Sequence, residues 1–409
     1  MDAALPALTI THFTNVTSNS LMVNFTTTSI GASEITEMGI VYSTEENPTL
    51  ENGTKITHPN NVTGDYDVSI TNLTSSTIYY IRAYGINSYG TGYSKVRKVL
   101  VPNGDGAQVL SIEGTANSYI ASPLYRTFSF EALYKGNSTE SIGSPATAEV
   151  IWETKNTTES VSQGDIIRDV VYDNGIISFN LSDEGTEGNA IIAAKDGEGN
   201  ILWSWHIWVT DFDAEETACT FPSGAVMMDR NLGALNNSTD VLSFGLLYQW
   251  GRKDPFAGSG DGTNNTFAAT YPANAISFVN GSDGRNSLAY ATSHPNHNIL
   301  GSTWNYTNQG TTWWGAEKTI YDPCPPGWQI PPVTAWNNYT NTTSSFPLTG
   351  GINEGASTLT NVGSNSIPWS YTVRDYEWMR CFKIYNNGAS WTTVDDSEAD
   401  VSCGRPVRC

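Results

Sequence analysis

The sequence has no apolar run of about 18 residues, so no stretch of it reads as a membrane-spanning helix. Its opening, Met1-Asp-Ala-Ala-Leu-Pro6, has neither a basic segment nor an apolar one, and it does not read as a secretory signal. Basic residues are scarce: 20 Lys and Arg stand against 41 Asp and Glu, for a net charge of −21. Phosphate contacts need Lys and Arg, so nucleic acid is excluded as a partner, and anionic lipid is disfavoured too. Charged residues of both signs reach only 15%. The polar surface must then be largely Asn, Ser, Thr and Gly, which favour turns and short strands over long helices. The fold class expected is mainly β.

Catalytic and cofactor signatures are missing as well. The chain has no Gly-x-Ser-x-Gly elbow, no Walker loop and no Gly-x-Gly-x-x-Gly fingerprint. No enzyme activity and no cofactor are expected. Cysteine is sparse: Cys219, Cys324, Cys381, Cys403 and Cys409 all lie in the second half. That is too few for a disulfide scaffold, and the absence of a Cys-x-x-Cys pair argues against a zinc knuckle.

What the chain does contain is a β pattern in blocks. Its 409 residues are enough for two to four domains. Leu8–Phe13, Leu21–Phe25 and Tyr66–Ile70 alternate with period two, and Met38–Ser43 reads as a further strand. Leu73-Thr-Ser-Ser-Thr-Ile-Tyr-Tyr-Ile-Arg-Ala-Tyr-Gly-Ile-Asn-Ser-Tyr-Gly90 resembles the fibronectin type III signature. In it a tyrosine hydroxyl near the strand start is placed to bond the preceding turn. Residues 6–101 are expected to form one such sandwich. Val101-Pro-Asn-Gly-Asp-Gly106 follows as a linker. A second β-sandwich is expected over 107–212, with strands at 149–152 and 176–179. Its hairpin joins 190–194 to 201–208 through Asp196-Gly197. Trp203, Trp205, His206 and Trp208 on that hairpin are expected to pack in a core; the alternative is a ligand platform. Asp211-Phe-Asp-Ala-Glu-Glu216 marks the next boundary, and 217–409 forms the last domain. Short helices are expected at 314–320 and 243–250. Frequent Asn-x-Thr triplets, such as Asn24-Phe-Thr26, read as an Asn- and Thr-rich surface.

The densest local constraint is Tyr321-Asp-Pro-Cys-Pro-Pro-Gly-Trp-Gln-Ile-Pro331. Four prolines stiffen it, and Gly327 permits a tight turn before Trp328. A cysteine in a rigid loop and another at Cys409 are expected to form a disulfide, Cys324–Cys409; the alternative is two free buried thiols.

Cys324-Pro-Pro-Gly-Trp328 followed by Val407-Arg-Cys409 resembles the Fibrobacter succinogenes major paralogous domain family of Bacteroidetes surface proteins. Asn200-Ile-Leu-Trp-Ser-Trp-His-Ile-Trp208, Met227-Met-Asp-Arg-Asn-Leu-Gly233 and Gly245-Leu-Leu-Tyr-Gln-Trp-Gly-Arg-Lys-Asp-Pro-Phe256 extend the resemblance over residues 107–409. It implies a C-type lectin-like fold for the last domain and a binding protein rather than an enzyme. It also implies an exported, cell-surface location. In relatives diversified by retroelements, the segment before the terminal Val-Arg-Cys carries the variable ligand face.

That segment has the composition of a recognition surface, with flat aromatics among amides and carboxylates. The candidate ligand-binding residues are Asn365, Ile367, Trp369, Tyr371, Arg374, Asp375, Tyr376, Trp378, Asn386, Asn387, Trp391, Asp395 and Asp396. The alternative is a fixed, Asn-rich loop region. Asp395, Asp396, Glu398 and Asp400 supply hard oxygens that permit calcium, with a solvated loop as the competing reading. His294 and His297 are expected in a solvated loop. Cys381 and Cys403 invite comparison with formylglycine-generating enzymes, but their surroundings do not match. The partner expected is a protein or glycan on another cell or surface, with pilus subunits as further partners. Phage-borne host recognition, or a polysaccharide-binding accessory role in an enzyme system, are the alternatives.

Overall fold

The computed structural model describes residues 4–104, 106–282, 285–301, 313–339, 346–374, 378–386 and 391–409, with 386 and 391–396 as backbone alone. The chain is mainly β and divides into two compact units. One comprises Met1–Gln108, Tyr125–Ser129 and Asp169–Asn180; the other comprises Val109–Leu124, Phe130–Arg168 and Leu181–Cys409.

The first unit begins with eight strands: β1 (Ala7–Thr14), β2 (Ser20–Ser29), β3 (Glu37–Ser43), β4 (Thr54–His58), β5 (Gly64–Thr71), β6 (Thr77–Asn87), β7 (Gly90–Tyr93) and β8 (Arg97–Val101). They form a three-stranded sheet, β1-β2-β5, and a second sheet, β4-β3-β6-β7, with β8 also paired to β6. This is a fibronectin type III-like arrangement. Period-two alternation explains it: Leu21, Val23 and Phe25 on β2 point inward and meet Met38, Ile40, Ile81 and Ala83 from the facing sheet. The tyrosine corner forms as the pattern predicts, with the Thr74 N–H donating to the Tyr79 hydroxyl at 3.0 Å.

The strands of residues 107–212 are β9 (Ala107–Val109), β10 (Ser118–Ala121), β11 (Thr127–Glu131), β12 (Thr147–Thr154), β13 (Ile167–Asp173), β14 (Ile176–Leu181), β15 (Gly188–Lys195) and β16 (Ile201–Val209). One sheet has the order β13-β14-β11-β9 and the other β10-β16-β15-β12. In the second, β15 and β16 form the expected hairpin, and β10 pairs with β16 in parallel. β16 is buried on both faces from Trp203 to Val209, with Ser204 and His206 enclosed among the apolar residues. All four candidate residues on it are packed. Trp203 donates to the Asn117 side chain at 3.0 Å, Trp205 meets Phe130 edge-on, and Trp208 donates to Ala234 O at 3.0 Å. They are core residues, not a ligand platform.

In the same unit, Trp152, Ile191 and Trp208 belong to one core with Met228, Leu232, Trp250, Trp314, Trp369 and Val407. Phe212 and Ala214, within the segment expected as a boundary, are buried in that core too. Regular structure beyond 216 is short. It comprises β17 (Cys219–Thr220), β18 (Val226–Met227), β19 (Leu247–Tyr248), β20 (Ser277–Asn280), α1 (Leu288–Ser293), β21 (His297–Leu300), β22 (Gly351–Ile352), β23 (Leu359–Thr360), β24 (Asn365–Ser366), β25 (Trp369–Val373), β26 (Trp378–Asn386), β27 (Trp391–Asp400) and β28 (Arg405–Pro406).

Both expected helices fail. Gly245 sits at φ +71°, against the Leu232 carbonyl, which breaks any helix over 243–250; a short 3₁₀ turn at Val241–Ser243 precedes it and β19 follows. The 313–320 stretch is irregular because its side chains are drawn elsewhere: the Trp314 indole donates to Tyr321 O, and Lys318 reaches into the following loop. The α-helix lies instead at Leu288–Ser293. Its first turn is capped by Ser287, whose hydroxyl accepts from the Tyr290 N–H at 3.2 Å.

Candidate ligand-binding face and the disulfide loop

The sheet β24-β26-β25, with β27 paired to β26, carries the candidate face. Its two faces are fixed by separate sets of contacts. Met379 and Cys381 on β26 enter the main core, while Phe382 and Ile384 enter a second cluster with Trp336, Tyr339 and Phe346. Phe382 stacks on Trp336 with ring centroids 5.1 Å apart.

The structure separates the candidate residues. Trp369 is 0% exposed and donates its indole N–H to Tyr248 O at 2.8 Å. Ile367 is also buried, and Tyr371 is half-buried against the same core. Their large apolar areas close the gap between β25 and the 246–250 segment, so these residues are packing rather than face. Asn365 is half-buried on β24, and its side-chain oxygen is enclosed with no hydrogen-bond partner among the described residues. Arg374 and Trp378 are exposed. Trp378 keeps 37% of its surface accessible, and Arg374 pairs with Glu398 across the sheet. Val373 is exposed beside them. Asn386, Trp391, Asp395 and Asp396 lie on β26 and β27, described as backbone only. Asp375, Tyr376 and Asn387 lie outside the described residues.

Two members of the acidic run are committed elsewhere. Glu398 serves Arg374. Asp400 is buried and accepts from Ser402, from the backbone N–H at 2.8 Å and from the hydroxyl, so it caps the turn before Cys403. Burial pushes the Asp400 carboxyl above its ordinary value. Cys381 and Cys403 are free and buried; burial raises both thiols, that of Cys381 to about 12, which leaves them protonated and unreactive. His294 and His297 are not in a solvated loop. Tyr290 stacks on His294 with centroids 4.0 Å apart, and its hydroxyl lies 2.8 Å from His297 Nδ1, making a half-buried aromatic cluster.

The Cys324–Cys409 disulfide is present, with its Cα atoms 6.0 Å apart. The loop around Cys324 is held by a buried ion pair. Asp322 accepts from the Cys324 N–H at 2.8 Å and the Ile330 N–H at 3.0 Å. Lys318 donates to Asp322, to Cys324 O at 2.7 Å and to Trp328 O at 2.7 Å. Burial lowers the Lys318 amine from its ordinary value.

Inspection of 361–409 alone misses a cleft of about 510 Å³ beside this loop, between the β17–β18 hairpin and residues 327–335. Trp328 lines it. The Cys-Pro-Pro-Gly-Trp run was the available signal, but it pointed to rigidity and not to a concavity.

No protein-family model matches the chain, and no curated protein matches its sequence. Solved structures similar to it include the fibronectin type III domain of human collagen XX, at 22% identity, covering 24% of this chain and 93% of that one with a TM-score of 0.19. The sensor domain of the anti-sigma factor RsgI4 of Pseudobacteroides cellulosolvens is similar at 17% identity, over 25% of this chain and 99% of that one, with a TM-score of 0.20. The sixth fibronectin type III domain of human fibronectin type III domain containing protein 3 is similar at 19% identity, over 25% and 84%, with a TM-score of 0.17. Each likeness spans about a quarter of this chain, and the arrangement of β1–β8 rests on its own strand order.

Proposed function

We propose that this chain is a non-catalytic binding protein of a bacterial cell surface. In this reading three sequence modules, 6–101, 107–212 and 217–409, form a stalk and a C-type lectin-like head, and the head presents the ligand face at the surface or at a pilus tip. Retroelement diversification of the segment before Val407 belongs to the same reading. The observation that carries it is the exposed Trp378 beside the Arg374–Glu398 pair, on a sheet anchored by Trp369 on one face and by Phe382 on the other. A rigid sheet with an accessible tryptophan and arginine is the arrangement in which binding energy concentrates. The ligand is a protein or glycan on another cell or surface.

The test compares fluorescently labelled wild-type protein with an Arg374→Ala/Trp378→Ala variant for adhesion to mucin-coated and cell-coated surfaces. Saturable adhesion that the variant loses, at an unchanged melting temperature, supports the proposal. Equal adhesion by both proteins overturns the assignment of the face.

A further inference from the structure

The cleft beside the disulfide loop is built more rigidly than a surface loop needs. Trp328 follows Gly327, which sits at φ +79° in open space, and its own N–H donates to Pro325 O at 3.1 Å. Its carbonyl is held by Lys318, and part of its indole packs against the main core while the rest faces the cleft. The result is an aromatic plate fixed before any ligand arrives, which removes much of the ordering cost of binding.

Polar groups stand around that plate beside apolar Ala225, Val226, Met227, Pro331 and Pro332. Gln329 uses its amide nitrogen on Ala316 O at 3.1 Å, and its side-chain oxygen has no partner among the described residues. Thr334 is exposed on the 3₁₀ turn at Val333–Trp336, and its hydroxyl makes no hydrogen bond among the described residues. Glu215 adds a carboxylate from the opposite wall. Ser223 donates to Ala335 O at 2.6 Å, which ties the hairpin wall to the wall opposite. Among the described residues lining the cleft there is no lysine and no arginine.

These features narrow the ligand. An anion would meet Glu215 and a chain of net charge −21 with no cation to receive it. A purely apolar ligand would strip water from Glu215, Gln329 and Thr334 and return no hydrogen bonds. A neutral sugar ring has one face of C–H bonds to lie on an indole, and an edge of hydroxyls that both donate and accept. The volume lies within the range of small-ligand sites. We infer that this cleft is a second binding site, apart from the Arg374–Trp378 face, and that it takes the pyranose rings of a neutral oligosaccharide stacked on Trp328.

The experiment is calorimetric titration of the intact chain with cellohexaose, xylohexaose, maltohexaose and mannohexaose. At least one should bind, and Trp328→Ala should weaken it tenfold or more. Thr334→Trp fills the cleft from an exposed position without removing anything from the core, and should weaken it equally at an unchanged melting temperature. Arg374→Ala/Trp378→Ala should leave this affinity unchanged, so failure of the face and failure of the cleft are distinguishable. The inference is overturned if none of the four sugars binds, if Thr334→Trp binds as wild type does, or if the cleft instead takes a lysine-rich peptide that Thr334→Trp excludes.

Discussion

Lys318 Nζ lies 2.8 Å from Asp322 Oδ1, and between them these two side chains hold four backbone groups of the loop that carries Cys324 and Trp328. Asp322 is 1% exposed, and Lys318 is the cation paired with it. Removing one partner of a buried pair leaves the other charge uncompensated, which costs roughly 3–5 kcal/mol. Lys318→Met is therefore expected to lower unfolding free energy by about that much in urea titration. Lys318→Met/Asp322→Asn should lose less than the sum of the two single changes, because the orphaned charge goes with the second substitution.

The disulfide acts on the same loop from the other side. Cys324 and Cys409 are 85 residues apart, and closing a loop of that length is worth roughly 4–5 kcal/mol in the chain-entropy model. Denaturant unfolding with and without reductant should show an unfolding free-energy difference of that order, seen as a lower midpoint in the reduced protein. Cys219→Ser should leave the shift intact, since Cys219 is free. Peptide mapping that finds both Cys324 and Cys409 as thiols in oxidised protein contradicts the bridge.

Acid should act through His206. It is fully buried on β16, with Nε2 2.8 Å from the Asn189 side-chain oxygen, and burial pulls its pKa from 6.5 down to about 3. Between those values the unfolded chain binds a proton that the folded chain refuses. Stability from this group is therefore fully present above pH 6.5 and is lost as pH falls toward about 3, by at most roughly 4–5 kcal/mol. His206→Gln should flatten the acid limb of stability against pH by up to about 1.4 kcal/mol per unit across that window. An unchanged limb means His206 is already charged in the folded protein.

Period-two patterning made the first sandwich legible, because one face of each strand is buried and the turn residues between strands are Asn, Gly and Ser. The β15–β16 hairpin was legible for another reason: two apolar runs flank an Asp-Gly turn. The C-terminal part was not. Its strands are two residues long in places, such as β19 and β28, and too short for any period to show. Its order comes from contacts far apart in sequence, such as Trp369 on Tyr248 O and Asn117 on Ile320 O and Asp322 O. Aromatic content alone could not tell Trp369, which fills the core, from Trp378, which stays at the surface. Both sit in polar, tyrosine-containing sequence, and only the fold assigns one to each side of the sheet.

That distinction is the final prediction. Of the aromatics named as ligand candidates, Trp369 is entirely enclosed and holds a buried hydrogen bond. Truncating it to alanine removes the packing of a whole indole and leaves Tyr248 O without its donor, so Trp369→Ala should cost about 3–5 kcal/mol. Trp378 keeps 37% of its surface accessible, and Arg374 meets Glu398 where solvent screens the pair. Trp378→Ala and Arg374→Ala should each change stability by no more than about 1 kcal/mol. Thermal and urea unfolding of the three single variants gives the comparison directly. A loss of several kcal/mol in Trp378→Ala would make that side chain packing as well, and the ligand face would have to be sought elsewhere on the head. A small loss for it, beside a large one for Trp369→Ala, leaves Trp378 and Arg374 free to be read in the adhesion assay as contact residues.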